Sequence, residues 1–172
     1  MRTFFFAILG FTLLAGSSTD LNAQKNSAIY ILGVVKEELS SEPLTDVYVY
    51  ALVKNDTLVI DTTVSDGKVD IILEYGKVYD LWYKKEGYAS KAVRVDTRSI
   101  PKHLQDEEGY GLDIDISLPT LIEGFDYSLL EEPIGLANYS IEDENFSFDN
   151  DYTRKKLKQY LRLKNKMADF RK

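Results

Sequence analysis

Between Ala28 and about Val95, apolar residues fall into short runs separated by turn-forming Gly, Pro, Asn, Asp and Ser. That pattern predicts strands joined by tight turns. Ile29–Val35 is rich in β-branched residues and ends at Ser40-Ser41-Glu42-Pro43. Val47–Val53 alternates aliphatic and aromatic side chains, so both faces of its strand are largely apolar. Thr57–Val64 and Val69–Leu73 flank Ser65-Asp66-Gly67, a hairpin signal in which glycine accepts a positive φ. Val78–Lys84 and Ala89–Val95 flank Lys85-Glu86-Gly87-Tyr88. Strands spaced roughly ten residues apart, with no helical pattern between them, predict an antiparallel two-layer sandwich.

Residues 97–111 form a polar excursion, followed by Leu112–Leu118, which alternates with Asp113, Asp115 and Ser117 on the wet face. Residues 119–151 read as an irregular extension containing short strands at Ile134–Tyr139 and Phe146–Phe148. A helix then runs from about Tyr152, capped by Asp149, Asn150 or Asp151. Leu157, Tyr160, Leu161, Leu163, Met167, Ala168 and Phe170 occupy one half of its wheel, interrupted by Lys156 and Lys164. Arg154, Lys155, Lys158, Arg162 and Lys166 line the other half.

The N-terminus changes the picture. Met1-Arg2 precedes the apolar run Phe4–Gly16, which is too short to span a bilayer, and small polar residues follow. This is the layout of a secretory signal peptide over residues 1–23, cleaved after Ala23 or, alternatively, after Gly16. The protein is thus expected in the periplasm or at the cell surface, with no transmembrane segment in the mature chain. Charge is uneven: residues 24–153 carry 11 basic and 26 acidic side chains, a net −15, while residues 154–172 carry 9 basic and 1 acidic, a net +8. The chain has no cysteine and one histidine, which excludes disulfides, thiolate sites and a multi-histidine metal cage.

Residues 28–95 resemble the carboxypeptidase regulatory-like domain, a transthyretin-like (prealbumin-like) module. The matching pieces are Gly33-Val34-Val35, Pro43-Leu44-Thr45-Asp46-Val47-Tyr48-Val49, Ser65-Asp66-Gly67 and the Tyr79–Lys91 stretch with Gly87-Tyr88. Asp46 stands where that family usually has glycine, and Lys68-Val69 where it usually has an aromatic residue. The resemblance implies a seven-stranded antiparallel β-sandwich over residues 24–118, mainly β, followed by the extension at 119–151 and a basic amphipathic α-helix at 152–172. The remaining segments are similar to small exported proteins of Bacteroidota that pair such a sandwich with a C-terminal helix. Asp56-Thr57-Leu58 and Asp61-Thr62-Thr63 resemble the O-glycan acceptor triplet of that group.

Catalytic sets are scarce. His103 sits in a charged loop beside Lys102, and no Gly-x-Ser-x-Gly element accompanies it. The zinc-peptidase histidines and the Tyr-Arg-Gly-Ser tail of hydroxyisourate hydrolases, which the resemblance brings to mind, have no counterpart. Asp143, Asp149 and Asp151 are oxygen donors around Phe146-Ser147-Phe148, a weak calcium candidate whose spacing fits no EF-hand loop. A solvated acidic loop ending in a helix cap explains them better, since acids suit a helix N-terminus. Asp113 and Asp115 share a strand face about 7 Å apart, against the roughly 5 Å a retaining glycosidase uses. Tyr48 and Tyr50 share a face, as do Tyr79, Leu81 and Tyr83, and stacked rings on a sheet are candidates to hold a glycan or peptide.

The expectation is a non-catalytic, exported binding or adaptor module of a bacterial envelope that needs no cofactor. It would recognise an envelope protein or glycan through Tyr48, Tyr50 and the cations Arg154, Lys155, Lys158, Arg162 and Lys166. The alternatives are a subunit of an outer-membrane secretion or uptake assembly, and a carboxylate-only hydrolase. Nucleic acid is a poor fit to a net acidic, exported chain.

Overall fold

The computed structural model describes residues 28–54, 56–63, 66–105 and 109–171, with side chains undescribed at 57–62. The signal segment, Ser65, the acids at 106–108 and the side chains of both O-glycan triplets' threonines at 57 and 62 lie outside the described residues. The elements are β1 (Ala28–Glu37), β2 (Tyr48–Val53), β3 (Asp56–Thr62), β4 (Lys68–Glu74), β5 (Val78–Lys84), β6 (Lys91–Asp96), β7 (Tyr110–Asp113), β8 (Ile116–Leu118), β9 (Gly135–Ser140), β10 (Asn145–Phe148) and α1 (Asn150–Phe170). One sheet has the order β4-β1-β7 with β8 also on β1; the other has the order β10-β9-β6-β5-β2-β3.

The chain is mainly β, as its alternation predicts, but the sheets are mixed. β1 runs parallel to β7 and β8, and β6 runs parallel to β9. The all-antiparallel expectation fails because β7 and β8 enter alongside β1, and β9 alongside β6, in the same direction as their neighbours. The short strands expected in the 119–151 extension form β9 and β10, which complete the six-stranded sheet.

The core lies between the sheets. Ile29, Ile31 and Val35 of β1, Val69, Ile71 and Leu73 of β4, Val49 and Ala51 of β2, Leu81 and Tyr83 of β5, and Val93 and Val95 of β6 are all buried. Burying each aliphatic side chain contributes about 1.5–3 kcal/mol, so the alternation itself sets the register.

Two local departures have physical causes. The expected single strand Leu112–Leu118 breaks at Ile114, whose N–H donates to Leu32 O at 2.8 Å. A Cβ at Gly33 would lie 1.9 Å from the Ile114 carbonyl oxygen, so only glycine permits this crossing. Asp115 then takes over an acceptor position, with Oδ1 2.9 Å from Val34 N and Oδ2 3.0 Å from Lys36 Nζ. Asp46, at the position the resemblance assigns to glycine, keeps a left-handed φ of 54° and receives the Thr45 hydroxyl on Oδ2.

α1 starts two residues earlier than the sequence predicts, with Asp149 Oδ1 accepting Tyr152 N–H at 2.8 Å. It packs on the protein itself: Tyr160, Leu163 and Met167 are buried with Ala89 and Leu130, against Ile122, Phe125, Tyr127, Leu129 and Ile134. Only that sector of the predicted apolar half is covered. Leu157 is 52% exposed, Leu161 50% and Phe170 56%.

Candidate functional site

The outer face of the six-stranded sheet carries the rings. Because Tyr79, Leu81 and Tyr83 point into the core, Trp82 must point outward, and β2 and β5 pair Tyr50 with Trp82. The Tyr50 and Trp82 rings are nearly parallel at 12°, with centroids 6.5 Å apart, and Tyr48 follows 5.8 Å from Tyr50. The expectation that Tyr79 and Tyr83 offer a second exposed pair is therefore wrong. They are core residues, and Trp82 is the ring that extends the Tyr48–Tyr50 row.

Two clefts open on this row. One, of about 570 Å³, is lined by Asp46, Tyr48, Tyr50, Lys84, Lys85 and Glu86. The other, of about 560 Å³, runs from Trp82 under the 121–131 segment, where Tyr88, Phe125, Tyr127, Asp126 and Glu131 line it. Lys84 lines both, so the two clefts adjoin along the ring row. The clefts mix flat apolar faces with carboxylates and the ammonium groups of Lys84 and Lys85. Burial raises the Tyr50 hydroxyl above its ordinary range, with the nearby Tyr48 adding to the effect, so Tyr50 stays a neutral donor. The Trp82 indole N–H is buried with no acceptor among the described residues. One row away, Arg94 grips Asp80 with two hydrogen bonds of 2.6 and 2.8 Å, stiffening the sheet beneath the rings.

A second constellation sits where α1 meets the sandwich. Lys91 is 2% exposed and Glu38 7% at its side chain. The Lys91 ammonium donates to Ser117 O at 2.5 Å, lies 3.8 Å from Glu38 Oε2 and sits 3.8 Å above the Tyr160 ring. Glu38 also accepts the Tyr160 hydroxyl and stands 3.1 Å from Lys164 Nζ. Desolvation pushes Lys91 down to about 8; Glu38 opposes that and Lys164 reinforces it. Burial and the bond to Glu38 push Tyr160 up. This cluster pins the helix by polar contacts between residues far apart in sequence. No local pattern announces it.

The predicted partner-binding cations divide between roles. Arg154 pairs with Asp151 at 2.6 Å, while Lys155, Lys158 and Arg162 are exposed and make no ion pair among the described residues. Lys166 is exposed and lowers the Asp126 carboxyl together with the Ser128 hydrogen bonds, which have the larger effect. The helix's interrupting cations serve the fold instead: Lys156 pairs with Glu132, and Lys164 with Glu38.

The calcium candidates are not brought together. Asp149 caps α1, Asp151 holds Arg154 and Asp143 lies in the β9–β10 turn. Among the described residues no three His, Cys, Asp or Glu side chains converge as a metal site would need. His103 is exposed in a 3-10 turn. No helix among the described residues is long and apolar enough to cross a membrane.

No family model matches this chain, and no curated protein does. Several solved structures show partial likeness. A Bacteroides fragilis protein of unknown function, described as membrane-associated, aligns over 57% of this chain and 29% of its own, at 13% identity and a TM-score of 0.36. Catechol 1,2-dioxygenase from Acinetobacter aligns over 66% of this chain and 59% of its own, at 11% identity and a TM-score of 0.41. The pilus 2b backbone protein of group B streptococcus aligns over 55% and 42%, at 14% identity and a TM-score of 0.35. The chain thus spans less than two thirds of each. Likeness this partial carries no argument about its chemistry.

Proposed function

We propose that this chain is a non-catalytic binding module of a bacterial cell envelope, exported by its N-terminal segment, and that the aromatic groove takes a glycan. One observation carries the reading: Tyr48, Tyr50 and Trp82 form a row on the outer sheet face that opens into a groove with Tyr88, Phe125 and Tyr127. Sugar rings present C–H faces that pack on aromatic planes, and their hydroxyls donate to carboxylates such as Asp46, Glu86, Asp126 and Glu131. An apolar peptide would leave those carboxylates unpaired.

Support for the absence of catalysis comes from the acids themselves. Asp115, the stronger hydrolase candidate, is engaged by Val34 N–H and Lys36, and the lysine hydrogen bond is the main force holding its carboxyl below the usual range. Both of its carboxylate oxygens serve the strand crossing.

The test is binding of the mature protein to peptidoglycan fragments and to soluble envelope polysaccharides, with Trp82→Ala and Tyr50→Ala alongside. Removing either ring should weaken binding by about tenfold or more, as central aromatic anchors do. Binding that is indifferent to both substitutions, or turnover of any glycan by the wild type, would defeat the reading.

A further inference from the structure

We propose that the outward face of α1 rests on an anionic lipid surface, a second contact independent of the groove. The fold itself uses only some of the helix cations. Lys156 and Lys164 sit on the docking side and are answered by Glu132 and Glu38. The acidic body therefore explains those two. It does not explain Lys158 and Arg162, which are exposed and make no ion pair among the described residues, whereas Lys155 is exposed but lends charge to Glu132. Asp151 offsets Arg154 at one end of the stripe.

Leucines decide between kinds of anion. With 3.6 residues per turn, Leu157, Leu161 and Ala168 fall within a narrow strip between Lys164 and Arg154, on the flank of the cationic stripe. Leu157 and Leu161 are each about half exposed although Leu163, on the other side, is buried. Leu39, 67% exposed, borders the C-terminal end of the helix, sharing a small cleft with Ala168, Asn165 and Lys164. A soluble acidic protein would need the cations alone. An interfacial surface uses both, with ammonium and guanidinium groups at phosphates and leucines at the acyl boundary. The stripe from Arg154 to Lys166 runs along about 18 Å of helix, at 1.5 Å per residue, and it is convex, as contact with a broad plane requires. Between Arg162, Lys166 and the 125–129 segment a groove of about 280 Å³ gives room for a headgroup beside two cations, although Asp126 also lines it.

The experiment is co-sedimentation of the mature protein with phosphatidylcholine vesicles, with and without phosphatidylglycerol. Two variants, Lys158→Glu with Arg162→Glu and Leu157→Ser with Leu161→Ser, are compared after circular dichroism shows that each is folded. Every altered residue is exposed, so folding should survive. The expected result is binding only to the phosphatidylglycerol vesicles, lost at high salt. It should weaken at least about thirtyfold in the charge-reversed variant, at roughly 1 kcal/mol per cation near the surface. A smaller but measurable weakening is expected in the serine variant. Three outcomes overturn the proposal: no vesicle binding, binding that survives charge reversal, or binding indifferent to the leucines. Capture of soluble polyglutamate without capture of vesicles also overturns it, in favour of an acidic protein. Because the groove plays no part in this assay, Trp82→Ala should bind vesicles like the wild type, which separates a failure here from a failure of the glycan reading.

Discussion

Lys91 makes stability depend on alkaline pH in an unusual direction. The ammonium is buried among Ser117 O, Glu38, Lys164 and the Tyr160 ring, and its folded pKa falls to about 8 from an ordinary 10.5. Between those values the folded chain holds fewer protons than the unfolded chain, so stability rises with pH across that window. A shift of this size corresponds to about 3 kcal/mol, of which about 2 kcal/mol should be regained between pH 7 and pH 10. Above pH 10 the trend reverses: Tyr160 and Tyr83 are held protonated in the fold, and unfolded tyrosines ionise there. Lys91→Met removes the rising limb and leaves Glu38 still engaged by Tyr160 and Lys164. Urea unfolding followed by far-ultraviolet circular dichroism, repeated from pH 7 to pH 10, reads both profiles. If wild type and Lys91→Met run parallel over that range, the ammonium is not desolvated as described and the reasoning fails.

Gly33→Ala should destabilise by about 3 kcal/mol, because the new Cβ meets a backbone oxygen that cannot move without breaking the β1–β7 crossing; chemical denaturation checks this. Tyr83→Phe should be neutral or stabilising by about 1 kcal/mol, since the Tyr83 hydroxyl is fully buried with no partner among the described residues. A measured loss above that size would show a hydrogen bond in solution. Leu163→Ala should cost about 2–4 kcal/mol and open the lysine-rich helix to trypsin, whereas Leu161→Ala should change either readout little.

Much of the sandwich was legible. In β4 the alternation of Val69, Ile71 and Leu73 with mostly polar neighbours fixes the inner face, whereas β5 carries apolar residues on both faces and the placement of Tyr79, Leu81 and Tyr83 inside had to come from the structure. The cap at Asp149 follows from its position before an amphipathic run. What escaped was set by contacts distant in sequence. Parallel pairing of β6 with β9 depends on where two loops cross, which hydropathy does not encode. Lys91 looks solvent-facing beside Ser90 and becomes buried only when Tyr160 and Glu38 arrive from the two ends of the chain. Lys156 and Lys164 look like flaws in an apolar face and are instead its polar anchors. For the groove, Tyr48 and Tyr50 were visible, and Trp82 was recoverable from alternation once Tyr83 was placed inside. Phe125 and Tyr127 were not, since the 119–131 segment has no periodicity to place them.

Trp82 is the chain's one tryptophan and stands in the middle of the ring row, so its emission reports the groove alone. Titrating the mature protein with the envelope polysaccharide that binds it should give a saturable change in that emission. The change should vanish in Tyr50→Ala with the far-ultraviolet spectrum intact. Saturable binding of the polysaccharide by calorimetry, with Trp82 emission unmoved from start to finish, would place recognition elsewhere and contradict the account.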